Sequence, residues 1–430
     1  MDILVIGGGG REHAIIRKIK ESPLCGKVYC APGNGGIAAD AECIPSVKAT
    51  DVEGAVRLAQ EKKVDFVIVA PDDPLVLGMV DALEAAGIPA FGPRKNAAIL
   101  EGSKAFAKDL MKKYGIPTAA YEIFTDAEAA IAYVRAQNAY PTVIKADGLA
   151  LGKGVIIAQS EQEAVTAIRD MLEGGRFGDS GRRIVVEQFL SGPEVSVLAL
   201  TDGEVVRPLC SSMDHKRALD NDEGLNTGGM GTIAPNPAYT DEVAAKAMDR
   251  IFLPTIRAMN AEGRTFRGCL YFGLMVVDGE PYVIEYNCRF GDPETQVVLP
   301  MMEGDLLRAM IATREGTLAQ ADFSTRGGFA ACVVMASGGY PVKYETGKEI
   351  FGLDANGQIP DGSATVYHAG TKREGGALCT AGGRVLGVTA RGQTLNDAVA
   401  AAYRAVSTIR FEGEHHRRDI GRKAGATYGD

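Results

Sequence analysis

Three polar residues at alternate positions of one strand-like run, Glu285, Asn287 and Arg289 in PYVIEYNCRFGDPE, carry the strongest chemical signal in this 430-residue chain. Side chains on a strand alternate faces, so these three share one face while Ile284, Tyr286 and Cys288 point the other way. Glu285 and Asn287 would stand about 6.6 Å apart at ~3.3 Å per residue, a spacing that lets two oxygen donors hold magnesium ions bridging the phosphates of a nucleotide. Arg289 would then clamp a phosphate oxygen. The same row could form a surface ion-pair stripe on an edge strand, but it leads straight into a tight Arg-Phe-Gly-Asp-Pro-Glu turn, which favours a metal site.

Lys145, in VIKADG, stands where a buried strand would otherwise be apolar. An unpaired buried ammonium is costly enough to demand an anionic partner, and a phosphate is a natural one. The stretch from Gly148 to Gly154, with Gly152 and Lys153, could lay backbone N–H groups and a lysine against phosphates. It lacks the GK[ST] ending of a P-loop and joins two β runs instead of opening a helix, so a Walker-type site is disfavoured and a plain hairpin turn fits equally well. Glu187 and Glu194 flank the FLSGP stretch that begins at Phe189, and could aim carboxylates and backbone groups at an adenine amino group and ribose hydroxyls. Ordinary solvated glutamates would read the same way. Asp214-His215-Lys216-Arg217, followed by NTGGMG at 226–231, sets charge beside a glycine loop. That suits a binding loop closing on charged substrates, or a merely solvated one. His215 has no metal-ligand spacing, and the chain holds five histidines, so base catalysis by histidine has little to recommend it.

At the N-terminus VIGGGGREH invites a dinucleotide-binding reading, yet the GxGxxG frames starting at Gly7 and Gly8 meet Glu12 and His13 where the third glycine belongs. The next strand ends in Ala31-Pro32 where a ribose-binding acid would stand, so a nicotinamide site is improbable, while a phosphate at the helix N-terminus stays open.

These residues need elements to hold them. Residues 1–101 alternate short β-rich runs (ILVIG, KVYCA, DFVIVAP) with helical patterns, which predicts a doubly wound parallel sheet. Capping boxes at Thr50–Glu53, Thr125–Glu128 and Ser160–Glu163 mark helix starts. Residues 102–195 open with a helix and then show two hairpin-like β patterns, YPTVIKADGLALGKGVIIAQ and RRIVVEQFLSGPEVSVLAL, around another: a small lid-like α+β unit. Residues 196–325 contain the apolar run GCLYFGLMVVDG and the polar run above, an antiparallel hairpin. Residues 326–430 form a β-rich closing domain. The net charge of −9, from 46 Lys and Arg against 55 Asp and Glu, argues against a nucleic-acid partner. No signal peptide or membrane span is visible. Eight cysteines without a CxxC pair suit reduced thiols in the cytosol.

Together the segments resemble the phosphoribosylamine-glycine ligases, or glycinamide ribonucleotide synthetases, of the ATP-grasp superfamily, over essentially the whole chain. The most specific match is Arg289-Phe-Gly-Asp-Pro-Glu-Thr-Gln296, beside GGGGREHA at 7–14, PGNGG at 32–36, KADGLALGKGV at 145–155, DHKR at 214–217, NTGGMG at 226–231 and HAGTK at 368–372. The resemblance implies a multidomain α/β and α+β chain: an N-terminal phosphoribosylamine domain, a two-part ATP-grasp and a C-terminal domain completing the cleft. It implies ATP held by Lys104, Lys145, Gly152, Gly154, Glu187, Phe189 and Glu194, and two magnesium or manganese ions on Glu285 and Asn287. Arg289, Asp292, Asp214 and Lys153 would surround glycine and the reacting phosphoryl group, with Gly9, Gly10, Arg11, Glu12, Asn34, Gly35 and Lys216 on the substrates. It also implies small-molecule partners, glycine and 5-phosphoribosylamine, for a cytoplasmic monomer in transient contact with the upstream amidotransferase. Related carboxylases place a metal-binding carboxylate twelve residues before the second one, where this chain has Gly273. Two departures from the family pattern are Ala70-Pro-Asp-Asp-Pro-Leu75 for GPE-x-PL, and Ser212-Met213-Asp214 for SQD. The rival readings are another ATP-grasp enzyme of purine synthesis, a formate-using transformylase or carboxylase subunit, and a noncatalytic nucleotide-binding regulator.

Overall fold

A computed structural model of the chain describes residues 1–148, 154–174 and 178–426. Its first strands, β1 (Ile3–Gly7), β2 (Val28–Pro32), β3 (Glu42–Cys43), β4 (Phe66–Val69) and β5 (Ala90–Phe91), form the expected parallel sheet in the order β3-β2-β1-β4-β5. All five residues of β1 are buried because both faces of the sheet are covered, as a parallel sheet requires. Leu4 and Ile6 pack under the helices Val52–Lys62 and Met79–Ala85. Ile3 and Val5 pack on the other side, in a core shared with Leu198, Val297 and Leu306 of the central domain.

The lid is an antiparallel sheet of β6 (Tyr121–Phe124), β7 (Thr142–Ala146), β8 (Val155–Ala158) and β9 (Ile184–Gln188), ordered β6-β9-β7-β8. The helices Ala127–Gln137 and Glu161–Leu172 share its core. The second hairpin expected here does not form. Both edges of β9 are taken by β6 and β7, so after Gln188 the chain leaves the lid and β10 (Glu194–Thr201) joins another sheet. The crossing runs so close to that sheet that a Cβ on Gly192 would lie 2.0 Å from the Val276 carbonyl oxygen.

The receiving sheet is antiparallel, in the order β11 (Val206–Pro208), β10, Gly268–Val277, Glu280–Asn287. Its last two strands form the expected hairpin through Asp278 and Gly279, both at positive φ, the conformation of a two-residue turn that matches strand twist. The register holds one irregularity: Gly273 faces Glu285 while Leu274 faces Val283, leaving Ile284 unmatched. This bulge corrects the simple alternation. Val283, Tyr286 and Cys288 enter the core behind the sheet, and Ile284 is only partly buried.

The C-terminal sheet runs Met213–Asp214, Gly231–Ala234, Phe329–Ser337, Arg384–Gly392, Thr365–His368, with Glu414–His415 beside Phe329–Ser337. Two of its strands come from the segment before 326, so the expected border at 325 and 326 divides the sequence but not the sheet. The border at 195 and 196 likewise falls inside β10.

Two helix caps also differ from expectation. Asp51 and Asp126, not Thr50 and Thr125, accept the first-turn N–H groups, of Gly54 and Ala129, whereas Ser160 caps Glu161–Leu172 as predicted. In each Thr-Asp pair the aspartate is the residue adjoining the helix, and its carboxylate also meets the positive end of the dipole. Asp126→Ala should therefore destabilise the lid by about 1 kcal/mol and Thr125→Ala by under about 0.5 kcal/mol, read from urea unfolding of the two variants. Equal losses would restore the threonine cap.

Candidate functional site

Lysines gather where the lid meets the central sheet. Lys145 on β7 donates from Nζ to the carbonyl oxygen of bulged Ile284, 2.9 Å away, and pairs with Glu187 Oε1 at 3.1 Å. Lys108 pairs with the other carboxylate oxygen at 3.0 Å. Glu187 is thus buried between two ammonium groups and is no solvated surface glutamate. Its neighbour Lys108 went unnoticed in the sequence, although it lies one helical turn from Lys104 on the helix Lys104–Tyr114. Burial pulls the Lys108 ammonium down to about 8, against the pull of Glu187. Lys104 reaches the Gly148 carbonyl at 2.9 Å, and burial lowers it too. Gly154 is buried beside β8, where its carbonyl accepts from Ala146. Gly152 and Lys153 lie outside the described residues.

Glu285 sits at the opposite wall. Lys216 bridges it, at 3.5 Å, to Glu194 at 3.0 Å. Lys216 first, then Lys145, Lys104 and Arg289, outweigh burial and hold the Glu285 carboxyl down at about 2. The opposed residue must be small, since a Cβ on Gly273 would lie 2.8 Å from Glu285 Cγ. Asn287 accepts from Arg289 Nη2 at 3.2 Å. A carboxylate and an amide oxygen two residues apart are hard donors that fit magnesium or manganese. Among the described residues no group of three His, Cys, Asp or Glu forms a metal cage, so further ligands would have to come from phosphate oxygens and water. Phe189 follows β9, partly buried, at the start of the crossing.

Arg289 lies just beyond the strand. Its Nη2 stands 3.4 Å from Glu101 Oε1, its Nη1 donates to the Phe290 carbonyl, and its Nε is shielded from solvent with no partner among the described residues. Glu101 was missed in the sequence: it sits at the end of an unremarkable helix, Lys95–Gly102, and accepts the Cys288 N–H at 2.6 Å. Burial pushes its carboxyl up to about 7, only partly countered by Arg289. Asp292 accepts from Gln296 Nε2 at 2.8 Å and from the Arg11 N–H at 3.4 Å, and Arg384 of the C-terminal sheet lies 3.5 Å from its Oδ1. Burial opposes its ionisation, but Arg384 and Arg11 prevail and lower it. Asp214 and Glu294 are driven the other way, upward, by burial and, for Asp214, by the charge of Glu294. The RFGDPETQ loop is therefore a junction of all three parts of the chain.

The N-terminal loop meets that junction. Its glycines lie close against that junction: a Cβ on Gly9 would lie 3.2 Å from Asp292 Oδ2, and one on Gly10 2.5 Å from Gln296 Nε2. Glu12 takes the Gly9 N–H at 2.6 Å and the Arg11 Nε at 2.6 Å, and Arg11 Nη1 donates to the Phe290 carbonyl. The Asn34 side chain departs from expectation. The Asn34 amide donates to the carbonyls of Gly8 and His368 and accepts from the N–H groups of Gly36 and Ile37, which exhausts its capacity. Gly35 donates to Thr371 O and accepts from Arg373 Nε. The Asn34 side chain thus has no group left for substrate. His215, buried, has both ring nitrogens on backbone groups, of Gly231 and Gly421, and burial depresses it to about 4, which agrees with its exclusion as a base.

A cavity of about 600 Å³ lies elsewhere, between Phe91, Arg94, Arg267 and Arg314. Two of its guanidinium groups are committed, Arg94 to Glu84 and Arg267 to the Arg314 carbonyl. No helix among the described residues is long and apolar enough to cross a membrane.

A parallel N-terminal sheet followed by an antiparallel lid sheet and an antiparallel central sheet, with lysines where the two meet, is the architecture of the ATP-grasp enzymes. The fold is shared, at a TM-score of 0.74 and 17% identity over 96% of this chain and 92% of the other, with a biotin carboxylase from Campylobacter jejuni. The chain belongs to the phosphoribosylglycinamide synthetase family, whose N domain, ATP-grasp (A) domain and C domain models match residues 1–101, 102–295 and 330–423. The phosphoribosylamine–glycine ligase of Yersinia pestis is 50% identical over 429 residues, 99% of each chain. That of Salmonella typhimurium is 49% identical over 427 residues, again 99% of each. The crystal structure of the Thermotoga maritima phosphoribosylamine–glycine ligase superposes with a TM-score of 0.85 at 34% identity, covering 98% of this chain and 100% of that one.

The Glu101 shift has a measurable sign. Its folded-state value near 7 lies above the ordinary 4.5, so between those pH values the folded protein keeps a proton that the unfolded chain has lost, and the group's contribution to stability falls as pH rises. Glu101→Gln removes this titration. Relative to the unsubstituted protein, the variant should gain up to roughly 3 kcal/mol between pH 4.5 and 8 in urea unfolding. A pH-independent difference would assign Glu101 an ordinary carboxyl value.

Proposed function

We propose that the chain joins glycine to 5-phospho-D-ribosylamine at the expense of ATP in de novo purine biosynthesis, through a glycyl phosphate intermediate, in the cytoplasm. A carboxylate oxygen of glycine attacks the γ-phosphorus of ATP and the bond to the bridging oxygen breaks, releasing ADP. The amine of phosphoribosylamine then attacks the carbonyl carbon. The bond to the phosphate oxygen breaks, the nitrogen loses a proton, and glycinamide ribonucleotide and inorganic phosphate leave. No protein nucleophile is needed, so the protein contributes positioning and charge.

Lys104 and Lys145 are assigned to the nucleotide phosphates, with Glu187 and Lys108 holding Lys145 in place. One cation about 4 Å from an anion contributes ~4 kcal/mol at an effective dielectric near 20. Glu194, which opens β10, and the Phe189 crossing would hold adenosine. Glu285 and Asn287 would hold two magnesium or manganese ions, which when bound neutralise phosphate charge. Asp214, Asp292 and Arg289 surround glycine, and the Gly8–Glu12 loop takes the sugar phosphate. The observation that carries this reading is the RFGDPETQ loop, where Arg289 lies beside Glu101, Asp292 meets Arg11 and Arg384, and the buried Arg289 Nε has no partner among the described residues, a setting that suits a carboxylate or phosphoryl oxygen. That all eight cysteines are free thiols supports the compartment.

Glu285→Gln should keep the fold, with a thermal midpoint within a few degrees, and lose about 100-fold or more in turnover even at saturating magnesium, because the amide cannot supply the charge. Turnover equal to that of the unsubstituted protein would remove Glu285 from the metal site. The intermediate is tested with glycine carrying heavy oxygen in its carboxylate. One labelled oxygen should appear in inorganic phosphate for each amide formed, with ADP and no AMP among the products. Label in AMP would replace phosphorylation by adenylylation.

A further inference from the structure

The HAGTK segment of the C-terminal domain lies outside the chemistry above, yet it grips the N-terminal domain closely. His368 and His13 are both fully buried, with ring centroids 5.6 Å apart. His13 Nδ1 accepts the backbone N–H of His368 at 2.9 Å, which leaves the His13 proton on Nε2, facing Asp40 Oδ2 at 3.2 Å. His368 Nε2 lies 2.8 Å from the Gly357 carbonyl and so carries its proton, while Nδ1 accepts from the Thr371 hydroxyl at 3.2 Å. Every donor in this chain of contacts has one acceptor.

Asn34 extends the chain to the substrate side. One N–H of its amide reaches the His368 carbonyl at 2.8 Å and the other the Gly8 carbonyl at 2.9 Å, one residue before Gly9. The seam is close enough to need glycine: a Cβ on Gly36 would lie 2.1 Å from His368 Cγ, and one on Gly35 2.8 Å from the Lys372 carbonyl carbon. We propose that Asn34, His13 and His368 are positioning residues through which the C-terminal domain fixes the Gly8–Gly10 loop, setting affinity for phosphoribosylamine without touching it. The inference rests on the assignment of that loop to the sugar phosphate.

Asn34→Asp keeps the oxygen that accepts from Gly36 and Ile37 but sets oxygen against the two carbonyls. It should raise KM for freshly prepared phosphoribosylamine about 10- to 100-fold while KM for ATP and glycine stays within about 2-fold. A second pair guards against failure to fold. His13→Asn keeps an acceptor near the Nδ1 position and should recover most of the phosphoribosylamine affinity, whereas His13→Gln, which does not, should raise that KM about 10-fold. A uniform rise in all three constants, or equal behaviour of the two His13 variants, would overturn the inference. Gly9→Val in the loop itself separates the two levels. If it raises KM for phosphoribosylamine and the seam variants do not, the coupling alone falls. If it spares phosphoribosylamine, the loop assignment falls and the coupling with it.

Discussion

A buried ammonium must be met by negative charge, and this requirement organises the centre of the molecule. Lys145 and Lys108 converge on Glu187, and Lys216 spans Glu194 and Glu285. Lys145 also donates to a carbonyl of the opposite sheet, and it is the unmatched residue Ile284 that offers that carbonyl. The lid is therefore tied to the central sheet by the same lysine that is assigned to the nucleotide. Each of these lysines is met by a carboxylate, so none stands as an uncompensated charge.

Around that centre the geometry is set by close approach. Gly9 and Gly10 press on the Asp292–Gln296 loop, Gly273 makes room for Glu285, and Gly192 slides past Val276. Each brings backbone where a side chain would not fit.

Much of this was legible in the sequence, and the limits follow one physical rule. The parallel first sheet, the hairpin through Asp278-Gly279 and the face shared by Glu285 and Asn287 follow from local periodicity and turn chemistry. What remained hidden depends on partners far away. Asp51 outcompetes Thr50 as a cap by adjoining the helix, which a three-residue pattern does not weigh. The bulge at Ile284 shows only once Gly268–Val277 is laid beside it. Lys108 and Glu101 look like surface helix residues until Glu187 and Arg289 are brought against them. Asn34 lies in a loop that reads as a substrate site, and only the folded chain reveals its amide to be fully spent on backbone.

The C-terminal sheet, built from strands on both sides of residue 326, bears on how such a chain could arise and be recombined. Three family segments in succession suggest modules that a genome could shuffle, split or donate one at a time. A gene divided near 325 would instead yield one product with Gly231–Ala234 stripped of its neighbour and another with Phe329–Ser337 bare along the matching edge. Neither half would be a clean heritable unit, so exchange of the closing domain between lineages would have to carry residues 213–234 with it, or leave two adhesive borders behind.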